Sequence, residues 1–147
     1  MIEAKIDLRN LTSLVKNTKK NFALEARKTL ADVIVNQIVQ GKSPVRGERS
    51  FEPYTPEYAL KKRGSSKATK PVDMLVTGNM LNSLRIREVG DHGLRIYFKD
   101  PIAGYHNDPK GDKPRRLLPT EKNEKFNQAI TKKIISILKK AVRKSNR

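Results

Sequence analysis

The stretch Leu75–Leu84, LVTGNMLNSL, and the run that follows it constrain the fold most, because the hydrophobic period changes between them. Met80, Leu81 and Leu84 fall at helical spacing, which predicts a helix of about two turns. Thr77-Gly78 reads as a turn, and the Thr77 hydroxyl can accept from a free backbone N–H at the helix start. Ser83 closes the motif. From Arg85 the period becomes two. Leu84, Ile86, Leu94, Ile96 and Phe98 then share one face of an antiparallel hairpin, with Arg85, Arg87, Arg95, Tyr97 and Lys99 on the other. Val89-Gly90-Asp91-His92-Gly93 supplies residues that tolerate a tight turn. A capped helix feeding a hairpin cannot bury its apolar face alone, so long helical segments elsewhere must cover it.

Two such segments are legible. Phe22, Ala26, Leu30, Val33, Ile34 and Ile38 recur at three and four residues, and Gly41 stands where a C-terminal cap belongs. Phe126, Ile130, Ile134, Ile137, Leu138 and Ala141 make a second stripe. Thr120 is the expected cap of this closing helix, with Glu121 and Glu124 in its first turn and Arg143-Lys144 in its last, the ends where the helix dipole favours acids and cations. Ile6, Leu8, Leu11, Leu14 and Val15 give residues 2–15 a weak helical pattern, and a third strand is expected to start at Ile102. The expected fold class is α+β: a small antiparallel sheet, the hairpin plus one or two further strands, packed against two long helices, with a long irregular loop. A single domain spans 1–147, with 1–20 an N-terminal arm, 42–71 an extended loop and 143–147 a frayed basic tail.

The loop is unusual. Gly41–Pro71 carries eight basic and three acidic residues and is punctuated by prolines and glycines. A structureless loop of about thirty residues is uncommon in a compact domain and is usually functional or disordered. Within it, Phe51-Glu52-Pro53-Tyr54-Thr55-Pro56-Glu57-Tyr58 is too apolar for a free linker. Thr55-Pro56 reads as the cap and first residue of a short helix to about Lys62. Phe51, Tyr54 and Tyr58 either pin the loop to its own domain or insert into a neighbouring subunit. The first reading makes them core, the second makes them interface anchors.

The chain carries 32 basic and 15 acidic residues, a formal net charge of +17. Such a field suits nucleic acid or an acidic protein surface, and also serves simple solubility. There are no cysteines, hence no disulfide framework and no thiolate metal site, which fits a reducing compartment. No apolar run is long enough for a bilayer span and MIEAKIDLRN has no signal-peptide core, so no membrane partner is expected.

Chemistry is sparse. His106 has Asp108 and Asp112 nearby, a weak metal signal that a structural histidine bonded to backbone explains better. Phosphate-loop, nucleophile-elbow and zinc-protease motifs are absent, and Ser83 and Thr77 have no base placed by spacing. The expectation is no enzyme, no cofactor and no metal. A small hydrolase or nuclease built on His106 is the catalytic alternative. No recognised nucleic-acid-binding motif appears either, so the basic charge is a field without a sequence reader.

The order of motifs resembles the bacteriophage virion-morphogenesis and tail-completion proteins, the neck or head–tail joining family. The correspondences are a long helix ending at Gly41, then Phe51-Glu52-Pro53-Tyr54-Thr55 with Tyr58 and Lys62, and Leu75-Val76-Thr77-Gly78-Asn79-Met80-Leu81-Asn82-Ser83 before a hairpin. They continue with Tyr105-His106-Asn107 and with Pro114-Arg115-Arg116-Leu117-Leu118 before the closing helix. The resemblance covers about residues 22–140. Phe51 stands where tryptophan is common, Leu117-Leu118 replace an aromatic, and the glycine often found after the histidine element is displaced to Gly111.

The resemblance implies a structural virion protein that forms part of the neck ring joining the DNA-filled head to the tail, of the tail-completion or tail-terminator type. It implies a homo-oligomeric ring, with a hexamer as the expected copy number, assembled in the host cytoplasm. The implied partners are portal, connector or head-closure proteins and tail tube proteins, with transient non-specific contact with genomic DNA. Phe51, Tyr54, Tyr58, Arg115 and Arg116 are then the expected subunit-interface residues, and Thr77, Gly78, Leu81, Ser83 and His106 the structural motif. The alternative to a ring is a non-specific nucleic-acid-binding basic protein.

Overall fold

The change of period at Arg85 is a change of structure. In the computed structural model, which describes residues 2–7, 16–70, 72, 78–89, 93–111 and 114–145, β2 (Leu84–Val89) and β3 (Gly93–Phe98) form an antiparallel hairpin. Leu84, Ile86, Leu94, Ile96 and Phe98 are all buried on its inner face. The fold is α+β, with a three-stranded antiparallel sheet in the order β1-β3-β2.

The strand on the far side of β3 is not the expected one. It is β1 (Glu3–Asp7), which pairs antiparallel with β3 from Glu3↔Tyr97 to Asp7↔Gly93. The helical reading of residues 2–15 is therefore corrected over this stretch; residues 8–15 lie outside the described ones. Ala4 is buried and Lys5 exposed, an alternation too short to outweigh the sparse helical spacing in the sequence, but a strand edge of β3 rewards it with a full ladder. The segment expected to start a strand at Ile102 is instead helix α5 (Ile102–Asn107). Pro101 precedes it in a helical conformation (φ −64°), and Asp100 Oδ1 accepts from the Ile102 N–H at 3.0 Å, which starts a helix rather than a strand.

The covering helix runs over 16–39 as α1 (Lys16–Glu25), a π-helical turn (Ala26–Leu30) and α2 (Ala31–Val39). The turn has a reason in the sequence. Phe22, Ala26, Leu30, Ile34 and Ile38 are all fully buried and lie four apart. In an unbroken α-helix each such step over-rotates by about 40°, which would carry the last residue far from the face of the first. A π turn takes up one extra residue and keeps the stripe nearer one face. In the same turn Arg27 donates Nε–H to the Ile86 carbonyl of edge strand β2 at 2.9 Å. Beyond α2, the Gly41 and Lys42 N–H groups donate to Ile38 and Gln37 carbonyls, both at 2.9 Å, which closes a Schellman cap around Gly41 at φ +79°.

The closing helix α6 (Gln128–Ser145) begins well after Thr120, which is a correction. Asn123 sits at φ +77°, and Phe126 forms a lone bridge with Val45, so the chain cannot enter a helix earlier. Asn127 supplies the cap: its Oδ1 accepts from the Ile130 N–H at 3.0 Å. Asn127 Nδ2–H donates to Gln37 Oε1 at 2.6 Å, while Lys140 Nζ meets Glu25 Oε2 at 3.3 Å, so α6 runs antiparallel to the first helical segment. The helix continues through Ser145, beyond the start of the expected frayed tail at Arg143.

The expected long loop is partly folded. It holds α3 (Pro56–Arg63), with Thr55 as cap accepting from the Tyr58 N–H, Pro56 in the first turn and Gly64 closing it in the left-handed conformation. The Phe51 N–H donates to the Gly41 carbonyl at 2.8 Å and the Tyr54 N–H to Thr69 at 3.0 Å. Helix α4 (Asn79–Asn82) is one turn, shorter than expected, and Thr77 lies outside the described residues.

Candidate functional site

Gly78 holds φ +74° at the start of α4, so the Thr-Gly motif does contain a backbone position closed to β-branched residues. Leu81 behind it is buried in the core. Ser83 fastens this turn to the far end of the hairpin. Its Oγ donates to the Met80 carbonyl at 2.6 Å and accepts from the Asp100 N–H at 3.1 Å, and its carbonyl accepts from the Lys99 N–H at 3.0 Å. Asn79, Asn82, Ser83, Arg85, Lys99 and Asp100 border an open cleft of about 470 Å³ at this end of the sheet.

The expected interface residues divide. Phe51 and Tyr54, 8% and 6% exposed, belong to the chain's own core, whereas Tyr58 on α3 is 37% exposed. The Tyr54 and Tyr58 ring centroids are 4.8 Å apart. Arg63 and Arg115 place guanidinium groups 5.4 and 5.1 Å from the Tyr54 ring centre, and Arg115 Nη2–H donates to the Glu52 carbonyl at 3.4 Å. This cluster ties the loop to segment 114–118. Arg116 turns inward: it is 4% exposed, and its Nη2 donates to Glu124 Oε1 at 2.6 Å and to Thr120 Oγ1 at 3.3 Å. Glu124 and Thr120, read in the sequence as the start of a helix, are instead the partners of Arg116.

The residue that organises segment 114–118 is Asn107, whose part the sequence does not announce. It is buried at the end of α5. Its Oδ1 accepts from the N–H groups of Leu117 and Leu118 at 2.6 and 3.0 Å, and its Nδ2–H donates to Thr120 Oγ1 at 3.0 Å. Ser43 completes the clamp by donating to the Arg116 carbonyl at 2.6 Å and accepting from the Val45 N–H at 3.1 Å. Leu117 and Leu118 are thereby held in the core at a bend in the chain, with both amides satisfied by one oxygen. The only signal in sequence is an asparagine next to His106, a residue type that commonly serves turns.

His106 receives the Arg115 N–H on its carbonyl at 2.7 Å. Its imidazole is held below its ordinary pKa of 6.5, first by burial and second by the Arg115 guanidinium. Among the described residues no group of three His, Asp or Glu side chains is placed to hold a metal ion; Asp112 is outside them. No described helix is long and apolar enough to cross a membrane.

The outer face of the sheet is cationic. Register places Lys5, Arg95 and Arg87 side by side across β1, β3 and β2, and Glu3, Tyr97 and Arg85 in the next row of the same face. Arg87 and Arg95 guanidinium groups lie 5.6 and 5.1 Å from the Tyr97 ring centre. Glu3 pairs with Arg95 and, at 3.7 Å, with Lys5.

No protein-family model, no curated protein and no solved structure matches this chain.

Proposed function

We propose that this chain is a structural, non-enzymatic subunit of the neck of a tailed bacteriophage, of the tail-completion or tail-terminator type. In this reading it forms a homo-oligomeric ring between portal-side connector proteins and the tail tube. The observation that carries the reading is what the residues of the resemblance do. Gly41 closes the first long helix, Phe51 and Tyr54 seat the loop, Gly78 starts α4, and Asn107 clamps segment 114–118. Each is spent on building one scaffold, and none converges on a group suited to bond making. A head-to-tail ring contact needs complementary patches on different sides of a subunit. The exposed apolar side chains of α3, Tyr58 and Leu60, make that helix one candidate side, and Tyr58 packs on Tyr54, whose ring Arg115 also faces.

A second reading, a non-specific nucleic-acid-binding basic protein, is favoured by the cationic sheet face. Light scattering on the purified chain over a range of concentrations separates the two. The ring reading expects a discrete multi-subunit species that Tyr58→Ala with Leu60→Ala reduces to folded monomer. A chain that stays monomeric at every concentration would favour the second reading.

A further inference from the structure

We infer that the outer face of the sheet, continuing into the cleft beside α4, is a docking surface for the phosphate backbone of nucleic acid. The first observation is a row of like charge. Lys5, Arg95 and Arg87 are direct cross-strand neighbours, separated by about 4.8 Å per strand, and like charges placed directly opposite destabilise a sheet. Glu3 relieves part of that repulsion at the β1–β3 side, while Arg87 and Arg85 lie on edge strand β2. A polyanion laid across the strands removes the rest.

The second observation is that Arg85, in the neighbouring row with Glu3 and Tyr97, carries positive charge to the end of the sheet. Arg85 also borders the open cleft, together with Lys99, Asn79, Asn82, Ser83, Pro101 and one carboxylate, Asp100, whose Oδ1 is taken up by the Ile102 N–H. Arg85 is held there by donating Nη1–H to the Asn82 and Leu84 carbonyls at 2.6 and 2.9 Å. From the middle of the sheet to its corner, cations and neutral hydrogen-bonding groups therefore outnumber the carboxylates, Glu3 and Asp100. This composition suits phosphate oxygens, which accept from both classes of group.

The third observation selects nucleic acid over an acidic protein. Protein interfaces are organised around a desolvated apolar or aromatic centre. The aromatic residue of this face is Tyr97, and it is already engaged by Arg87 and Arg95. The ring fixes two guanidinium groups and is not offered as an anchor or a base-stacking platform. Binding is accordingly through the backbone and independent of sequence. The inference rests on the sheet face and the cleft beside it, not on ring formation.

The test measures binding of the full chain to a fluorescein-labelled DNA duplex of mixed sequence by anisotropy, over a series of salt concentrations. Arg85→Gln with Arg87→Gln removes two phosphate contacts, so the slope of log affinity against log salt should become shallower by about 1.8. Arg85→Lys with Arg87→Lys keeps the charge and the parental slope. Lys139→Gln with Arg143→Gln removes the same charge from exposed positions of α6 and should leave the slope unchanged. Should the glutamine pair fail to fold by circular dichroism, Arg87→Gln alone should lower the slope by about half as much. The inference is overturned if the α6 pair lowers the slope as much as the sheet pair, or if the sheet pair leaves it unchanged. It is also overturned if the sheet pair weakens binding to polyglutamate as much as to DNA, which would make the face a site for acidic protein.

Discussion

Replacing Asn107 by alanine should cost this fold more than any surface change of similar size. The side chain is 2% exposed and satisfies two backbone amides, those of Leu117 and Leu118, both fully buried. Alanine strands both donors without water, at about 1–3 kcal/mol each. The Thr120 hydroxyl retains its contact with Arg116, so its loss of the Asn107 donor adds little. Some relaxation of segment 114–118 pulls the total toward the lower end, and about 3 kcal/mol is expected. For a chain of 147 residues that corresponds to a melting temperature lower by roughly 6–12 °C. Asn107→Asp separates acceptor from size. It keeps an oxygen for both amides but puts a carboxylate where a neutral amide is 2% exposed, so its cost should grow with pH as the carboxylate ionises, whereas that of alanine should not. Urea unfolding followed by far-ultraviolet circular dichroism reads both, with unchanged denaturant slopes showing that only stability has moved. A loss below about 0.5 kcal/mol for alanine would refute the view that Asn107 holds segment 114–118 through its carbonyl oxygen.

Other outcomes follow from the same geometry. Gly78→Val should destabilise the chain by on the order of 1–3 kcal/mol, because φ +74° is strained for a β-branched residue; an unchanged melting temperature would count against the turn. Phe51→Ala with Tyr54→Ala should lower stability by at least about 3 kcal/mol, since both rings lie in this chain's own core; a double variant as stable as the parent would return those rings to a neighbouring subunit. His106 should make stability fall as pH drops below its ordinary pKa of 6.5. The unfolded chain takes up the proton first, and the loss levels off below the depressed folded value. His106→Gln should flatten that part of the melting-temperature profile, and an identical profile in the variant would remove His106 as its source.

The hairpin and the two long helical stripes could be read from the sequence because their signals are local. Periods of two and of three to four residues decide which side chains share a face, and Gly41 and Thr55-Pro56 mark a helix end and a helix start by their own conformational limits. What escaped reading was set by pairing between distant segments. Glu3–Asp7 is a strand because β3 has an open edge, a fact residues 2–7 do not contain. Thr120 and Glu124 look like a helix start, yet Arg116 and Asn107 claim them and Asn123 takes a left-handed turn before Asn127 caps α6. The π turn left a trace, five buried residues at strict four-residue spacing, that an ordinary helical reading passes over. The aromatic triplet of the loop was visible as a cluster, but whether it faced inward or outward depended on where Arg63 and Arg115 lie around Tyr54. The cationic row on the sheet required the register of all three strands, the first of which the pattern had concealed.

Whether the chain assembles into the proposed ring is decided by electron microscopy of the purified protein at the concentration where light scattering reports its largest species. Closed rings of uniform subunit number with a central opening are expected, lost in Tyr58→Ala with Leu60→Ala while circular dichroism stays that of the parent. Monomers alone, or open filaments and irregular clusters that survive those substitutions, would contradict it.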